Sequence, residues 1–224
     1  MKLITLATGS SGNCYLLEEN NKYIVLDCGI KFEEITSNKN FPSFRDIDLV
    51  ISTHCHQDHC KSLKDFKKTG VDIISYETLE RKVQDFNFEN WTLKTFPVVH
   101  NVDCWGVIIK SKATGKKLCY VTDFSAMPKI FGIDYWLYEV NYLEYIVEKI
   151  ADKNFDALKF GFKNHNSLEK AEEYFEFLQE KPKAIICCHL SQAHSNEKMI
   201  KKALKKYCDN IHIAKKDKVV VMED

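Results

Sequence analysis

Short apolar runs, separated by polar turns, recur along this chain and predict β-strands. The early runs cover residues 3–7, 14–18 and 23–27, and Asn20 and Asn21 between the last two are typical of a hairpin turn. Further runs cover residues 49–51, 91–99, 118–121 and 184–188. Their spread along the chain indicates extensive sheet structure.

Two segments in the second half have the apolar spacing of amphipathic helices. The first covers residues 167–180, and Asn166 precedes Glu169 by three positions, an N-cap arrangement. The residues on its apolar face are Leu168, Ala171, Phe175 and Leu178. The second covers residues 197–207, with Ile200, Ala203, Leu204 and Tyr207 directed inward. Both helices are expected to pack on a sheet.

Length and composition are compatible with one compact unit. A chain of 224 residues with 45% hydrophobic content can bury a full core. Strand-like and helix-like segments alternate, with no Pro/Gly/Ser-rich linker, low-complexity tract or solenoid repeat between them. We therefore expect an α/β fold in which residues 1–224 form a single domain.

A dense group of candidate metal ligands follows the apolar run at residues 49–51. His54, His56, Asp58 and His59 lie within six positions in an H-x-H-x-D-H pattern. Imidazole and carboxylate ligands suit zinc-like divalent metals, which favours a metal site over a coincidental cluster of surface histidines. On a continuing strand, alternate side chains share a face, so His54 and His56 would reach one ion together. Asp58 and His59 would then address a second ion.

Three further candidate ligands each follow a predicted strand. They are His100, Asp123 and His189. Any one of them alone is more often a structural histidine or a loop aspartate. Three such placements beside the H-x-H-x-D-H pattern favour a shared metal centre.

The order H-x-H-x-D-H, then His, Asp and His, closely resembles the metallo-β-lactamase-fold hydrolase superfamily. Other motifs are similar to its YycJ branch, also called WalJ. These motifs lie at residues 8–15 (TGSSGNCY), 27–29 (DCG), 139–142 (EVNY), 164–167 (NHNS) and 189–196 (HLSQAHSN). The resemblance implies an αββα sandwich with the metal site at one sheet edge. It also implies a phosphodiester-cleaving activity related to that of DNA exonucleases.

The same resemblance implies a ligand set and two divalent metal ions as cofactors. The first ion would be held by His54, His56 and His100, the second by Asp58, His59 and His189, and Asp123 would bridge them. These ligands accept Zn, Mn or Fe. Ser62 stands where the superfamily usually has a glycine. Asp27, after another predicted strand, either orients a ligand histidine or satisfies backbone N–H groups.

The mechanism that we hypothesise uses a hydroxide bridging the two ions as nucleophile, with Asp58 accepting a hydrogen bond from it while binding metal. His165, in a polar loop before a predicted helix, is the candidate catalytic proton donor for the leaving oxygen, and His194 competes for this role. Alternatively, Asn166 and Ser167 would hold a phosphate at the helix N-terminus.

Cysteine usage and the absence of long apolar segments predict a cytoplasmic protein. The nine cysteines form no C-x-x-C pair and several lie in apolar runs, which favours reduced core residues over disulfides or a zinc knuckle. Cys55 lies inside the metal motif but is expected to point away from the ions. The chain has no secretory apolar segment and no run of the ~18 to 20 apolar residues that a membrane span requires.

Charge gives only local support for a nucleic-acid partner. The 32 basic and 32 acidic residues cancel, so the chain has no global basic bias. The lysines at residues 198–206 could contact phosphates, although such a face is more often simply solvated. Only 65 residues separate Asp123 from His189, which leaves no room for a large insertion domain.

Three functions follow from these observations. The favoured one is a dinuclear phosphodiesterase or nuclease whose substrate partner is nucleic acid, with DNA preferred. The second is a small-molecule hydrolase that acts on a thioester, lactone or nucleotide, since the same metals support acyl transfer. The third is a non-catalytic metal-binding scaffold, which the complete ligand set disfavours.

Overall fold

Two β-sheets form the centre of the structure, a computed structural model that describes residues 1–150 and 162–222. The first sheet contains β1 (Lys2–Ala7), β2 (Cys14–Glu19), β3 (Lys22–Leu26), β4 (Ile47–Ser52), β5 (Ile73–Ser75) and β13 (Val219–Val221), in the order β13-β1-β2-β3-β4-β5. The second contains β6 (Gln84–Asn87), β7 (Trp91–Val98), β8 (Cys104–Ser111), β9 (Lys117–Val121), β10 (Tyr135–Glu139), β11 (Ala184–Cys188) and β12 (Ile211–Ile213), in the order β12-β11-β10-β9-β8-β7-β6.

Helices cover the outer faces of both sheets. The α-helices in the described ranges are α1 (Phe32–Thr36), α2 (Gln57–Cys60), α3 (Leu63–Phe66), α4 (Glu144–Ile150), α5 (Leu168–Leu178) and α6 (Glu197–Leu204), and a 3-10 helix spans Phe44–Asp46. One buried cluster joins the inner faces of the two sheets, a second lies between the second sheet and α5 and α6, and a third lies between the first sheet and α1 and α3. This layering is an αββα sandwich, which confirms the predicted α/β fold class.

The predicted strands agree with the structure to within one or two residues at their ends. The hairpin turn between β2 and β3 is confirmed, since Asn20 and Asn21 have φ angles of 52° and 61°. β11 pairs in parallel with β10 and β12, and all five of its residues are buried. A strand covered on both faces needs apolar side chains on both, which explains its unbroken apolar sequence.

The predicted helices are present but shorter than expected. Ser167, rather than Asn166, caps α5: its hydroxyl accepts from the Lys170 N–H, and the helix stops before Gln179, which has a left-handed φ of 53°. α6 ends at Leu204 rather than at residue 207. Tyr207 still packs inward, because the turn after the helix keeps it over the second sheet.

The strand directions bring several loops to one end of the sandwich. Strands β9, β10, β11 and β12 run parallel to one another, and so do β3, β4 and β5. The loops that follow parallel strands emerge at the same end of a sheet. Asp123 and His189 lie in two of these loops. The expected site at a sheet edge is thus located at the carboxyl ends of strands from both sheets.

Within the described ranges, no helix combines the length and apolarity needed to cross a bilayer.

Candidate metal centre

The H-x-H-x-D-H motif lies in a loop and a short helix, not on a strand. β4 ends at Ser52, and His56 is the N-cap of α2. Thr53 turns the chain out of the sheet, since its N–H and hydroxyl both bond Oδ1 of Asp27. The expectation that strand alternation brings His54 and His56 together was therefore wrong. The loop brings them together instead, with their ring centroids 4.7 Å apart.

Close backbone packing fixes the position of α2. The Asp58 carbonyl accepts from the Asn13 N–H at 2.7 Å, and the His59 carbonyl accepts from the Cys28 N–H at 2.9 Å. A Cβ atom on Gly29 would lie only 1.7 Å from the Asp58 carbonyl oxygen, so this position requires glycine. Ser62 completes the turn, with its N–H bonded to the Cys28 carbonyl at 2.9 Å.

One group of candidate ligands converges beside β4 and β7. Nε2 of His54 lies 3.1 Å from Nδ1 of His56, which lies 3.3 Å from Nε2 of His100. Oδ2 of Asp123 is 3.5 Å from Nε2 of His54 and 3.8 Å from Nε2 of His100. The loops thus bring together the first three predicted histidines and Asp123.

A second group lies next to the first and shares Asp123 with it. Nε2 of His59 is 3.4 Å from Oδ2 of Asp58 and 3.5 Å from Oδ2 of Asp123. Nε2 of His189 is 3.5 Å from the same Asp58 oxygen. In each group, one ligand atom per residue lies within 4.8 Å of every other. The structure therefore brings all seven predicted ligand residues together.

These distances fit a coordinated divalent cation. Four ligands at the roughly 2.0–2.1 Å typical of Zn–N bonds, at the corners of a tetrahedron, lie about 3.3–3.4 Å from one another. The separations of 3.1, 3.3 and 3.5 Å in the first group, and of 3.4 and 3.5 Å in the second, are close to that value. The donor set of imidazoles and carboxylates can therefore hold metal.

Partners on the far side of the imidazoles fix their orientation. Nδ1 of His59 donates to Oδ2 of Asp27 at 2.6 Å, and the same oxygen accepts from the Tyr120 hydroxyl. Nδ1 of His100 lies 3.1 Å from the Asn164 carbonyl oxygen. Such partners set the tautomer that turns the other nitrogen toward a metal. Both interpretations of Asp27 are thus correct, since it also bonds the Thr53 N–H.

Electrostatics differ between the two groups. Burial lowers the pKa of His54 and lowers that of His100 to about 4, so both rings are neutral near pH 7, the form that binds metal. Burial also acts against a charged His189, but the carboxylates of Asp123, Asp58 and Glu139 outweigh it and raise the His189 pKa to about 10. A cation in the second group therefore competes with protons.

Glu139 is a site residue that the sequence analysis quoted in a motif but gave no role. Its carboxylate is fully buried at the end of β10, and its Oε1 lies 2.7 Å from Nδ1 of His165 and 3.1 Å from Nδ1 of His189. Its Oε2 accepts from the Phe124 and Asn166 N–H groups, each at 3.2 Å. An acidic residue that ends a buried apolar strand was the signal, the same one that indicated Asp123.

The remaining candidates lie at different distances from the centre. The His165 ring stacks on that of His189, with centroids 5.3 Å apart, so the candidate proton donor borders the second group. His194 instead bonds Ser191 and packs on Phe162, and it belongs to neither ligand group. The Asn166 N–H, one of the helix N-terminal groups expected to hold a phosphate, is bonded to Glu139 instead. The Ser167 hydroxyl donates to Glu144.

Comparisons with known proteins agree with this geometry. The family model of the metallo-beta-lactamase superfamily matches residues 7–103, a stretch that includes the H-x-H-x-D-H motif and His100. The exodeoxyribonuclease WalJ of Streptococcus pneumoniae is 35% identical over 82 residues, which are 34% of this chain and 29% of WalJ. The chain thus matches less than a third of the length of that curated relative.

Solved structures extend the likeness to the whole fold. The metallo-beta-lactamase fold protein YhfI of Bacillus subtilis matches with a TM-score of 0.73 at 16% identity, over 98% of this chain and 99% of YhfI. The short form of human tRNase Z matches with a TM-score of 0.69 at 16% identity, over the full length of both chains. The chain therefore has the metallo-β-lactamase fold, and its residues 7–103 match the model of that superfamily.

Proposed function

We propose that this chain is a dinuclear metal-dependent phosphodiesterase that cleaves nucleic acid, with DNA as the favoured substrate. The observation that carries the proposal is the shared carboxylate of Asp123, which joins two ligand groups of the right spacing. Paired ions a few ångströms apart suit phosphodiester cleavage, because they address the attacking and the leaving oxygen together. Two relatives support this choice, since WalJ is named an exodeoxyribonuclease and tRNase Z is a ribonuclease by its name.

The chain would hold one ion with His54, His56 and His100 and the other with Asp58, His59 and His189, and Asp123 would belong to both. Zn and Mn are our first candidates, and Fe is compatible with the same ligands. When bound, the ions supply positive charge that activates water near pH 7 and polarises a phosphoryl oxygen.

Asp58 is suited to orient the attacking water. Its side chain is 24% exposed, whereas those of His59, Asp123 and His189 are at most 3% exposed, so Asp58 lies at the solvent side of the centre. Oδ2 is directed to His59 and His189. Oδ1 has no hydrogen-bond donor in the described part of the chain and is available to accept from water.

His165 is our candidate proton donor to the leaving oxygen. Nδ1 is held by Glu139, while Nε2 makes no hydrogen bond within residues 1–150 and 162–222 and can exchange a proton. Burial lowers the pKa of His165, but the charge of Glu139 outweighs burial and shifts the pKa upward, toward the protonated form. The ring is 23% exposed beside the second ligand group, where a leaving group can reach it.

We also propose a cytoplasmic location, on the basis of the thiols. In the described part of the chain all nine cysteines are free, and eight of them are buried. Buried unpaired thiols are common in proteins of reducing compartments.

The test is degradation of end-labelled single- and double-stranded DNA and RNA by protein loaded with Mn²⁺ or Zn²⁺. Asp58→Ala is the variant, and His212→Asn, which alters a histidine outside both ligand groups, is the matched control. We expect cleavage by the wild-type and the control proteins and none by Asp58→Ala. Absence of cleavage in protein shown to bind two ions, together with hydrolysis of a thioester, lactone or nucleotide, would replace the proposal with the small-molecule hydrolase.

A further inference from the structure

Positive charge is concentrated in one short stretch of this otherwise neutral chain. Residues 197–218 contain eight lysines and three acidic residues, a formal excess of five positive charges, while the whole chain has none. Six exposed or half-buried lysines lie in the first two turns of α6 or after β12: Lys198, Lys201, Lys202, Lys215, Lys216 and Lys218. We call these six residues the lysine patch.

The register of β11 and β12 places part of the lysine patch beside the metal centre. The two strands are parallel, with Cys187 opposite Ile213. His189 lies two residues after Cys187 and Lys215 lies two residues after Ile213, so both follow the carboxyl end of their strand. Adjacent strands lie about 4.8 Å apart. Lys215 and its neighbours therefore border the end of the sandwich where the ligands converge.

Helix α6 contributes the other lysines. Ile200 and Leu204 bury the inner face of the helix, and Lys198, Lys201 and Lys202 are exposed on the other faces. The helix begins at Glu197, a few residues after His189, so its first turn lies near the same end of the sheet. The lysines thus extend from the carboxyl end of β12 along the first two turns of α6.

Most of this charge has no counter-charge in the protein. Within residues 1–150 and 162–222, Lys198, Lys201, Lys202 and Lys216 form no ion pair, whereas Lys215 pairs with Glu197 at 2.7 Å. Burial lowers the pKa of Lys218, and the ammonium groups of Lys201 and Lys215 lower it further. Mutual repulsion at this range is relieved when a polyanion binds.

A border of opposite charge limits the lysine patch on one side. On the surface next to α6, α5 carries the half-buried Glu169 and Glu172 and the exposed Glu173 and Glu176. Lys206 pairs with Glu176 at the boundary and is not part of the patch. A phosphate backbone would be repelled by the acidic face and retained on the lysine side. The nucleic-acid strand would then lead away from the metal centre past the carboxyl end of β12 and over the first turns of α6.

We propose that the lysine patch binds the phosphate backbone of the nucleic-acid substrate and holds the strand that leads to the metal centre. The inference rests on the proposed phosphodiesterase function. It assigns the lysine patch as the surface that favours long nucleic-acid substrates. Lysine contacts to phosphate are independent of base sequence and strongly dependent on salt. The lysine patch therefore increases the affinity for long nucleic acids over short ones, and it does not distinguish one base sequence from another.

The experiment replaces three unpaired lysines, in the variant Lys198→Gln/Lys201→Gln/Lys202→Gln. The matched control is Lys110→Gln/Lys112→Gln/Lys181→Gln, which removes the same charge from exposed lysines at the opposite end of the strands. Binding of an oligothymidylate of about 20 nucleotides is measured by fluorescence anisotropy in EDTA over a series of salt concentrations. In the patch variant we expect the affinity to fall at least about tenfold, and the slope of log affinity against log salt concentration to decrease in magnitude by about 2. The control should match the wild-type protein.

Kinetics of the metal-loaded protein separate the two proposals. With long DNA, the patch variant should show a KM raised about tenfold and an unchanged kcat, whereas hydrolysis of thymidine 5′-(4-nitrophenyl) phosphate should equal that of the wild-type protein. Equal DNA affinity in the variant, the control and the wild-type protein would overturn the lysine patch and leave the phosphodiesterase proposal intact. A salt-sensitive loss of self-association, with DNA affinity unchanged, would also overturn it. No cleavage of either diester by the wild-type protein would instead remove the phosphodiesterase function.

Discussion

His59 and Asp27 form a buried pair in which Nδ1 of the imidazole lies 2.6 Å from Oδ2 of the carboxylate. Both side chains have no solvent exposure. Tyr120 donates its hydroxyl to the same Oδ2, also at 2.6 Å. The carboxylate therefore fixes the ring so that Nε2 is directed to Asp58 and Asp123. A group that binds no metal itself thus controls one candidate ligand.

Replacement of Asp27 by Asn should weaken the second metal site. The amide keeps the shape but not the charge that makes His59 a basic, oriented ligand, and we expect metal affinity to fall about 10- to 100-fold. Competition with a chromophoric chelator measures this for each ion. Tyr120→Phe, which keeps the Asp27 carboxylate, should lose much less metal affinity. Equal affinity in Asp27→Asn and the wild-type protein would remove the orienting role of Asp27.

Metal should stabilise the folded chain. At a free concentration about 100 times Kd, one ion that binds only the folded state adds about 2.7 kcal/mol to the free energy of unfolding. For a chain of this size that corresponds to a rise in Tm of about 5–10 °C. Scanning calorimetry with and without EDTA gives the difference. The rise in Tm on metal binding should be the same in His212→Asn and absent in Asp123→Ala. A rise in Tm that persists in Asp123→Ala would contradict the assignment of Asp123 as the shared ligand.

His165→Asn should slow cleavage in a way that depends on the leaving group. A proton donor contributes roughly 10²- to 10⁴-fold when the leaving oxygen is a poor one, such as a nucleoside alkoxide. A 4-nitrophenolate needs no proton, so hydrolysis of a nitrophenyl diester should be nearly unchanged. Parallel kcat measurements on the two substrates test this. An equal loss on both would assign His165 a structural role.

Gly29→Ala should disrupt the ligand loop. A Cβ at this position would lie 1.7 Å from the Asp58 carbonyl oxygen, so α2 must move away. We expect the free energy of unfolding to fall by about 3 kcal/mol and the second metal ion no longer to bind. Gly70→Ala is the comparison, since its φ of 80° is strained but its surroundings are open. It should cost only about 1–2 kcal/mol and leave metal binding unchanged. Urea denaturation and metal titration measure both variants.

Local patterns were enough to predict much of the molecule. β11 follows from an unbroken apolar run, and the hairpin turn from Asn20 and Asn21. The chemistry of the ligand types, together with the resemblance to known hydrolases, indicated the seven candidate ligands. The geometry of His54 and His56 was predicted on a wrong basis, because the end of β4 depends on the bonds of Thr53 to Asp27, a partner 26 positions away.

Residues that act through others were the hardest to predict. Glu139 could have been found, because it ends a buried strand as Asp123 nearly does. Tyr120 could not, since a tyrosine in an apolar run is usually a core residue, and its bond to Asp27 spans 93 positions. The pairing of distant strands, rather than any local pattern, creates that contact.

The origin of the ligands on both sheets affects how the site can arise during synthesis. His54 to His59 follow β4 of the first sheet, while His189 follows β11, the last but one strand of the second. A growing chain that ends before β11 can complete the first group of ligands but not the second. Metal uptake by the second group would therefore be a late event that reports the addition of β11 to the second sheet, and a metal-sensitive probe of His189 would follow completion of the fold.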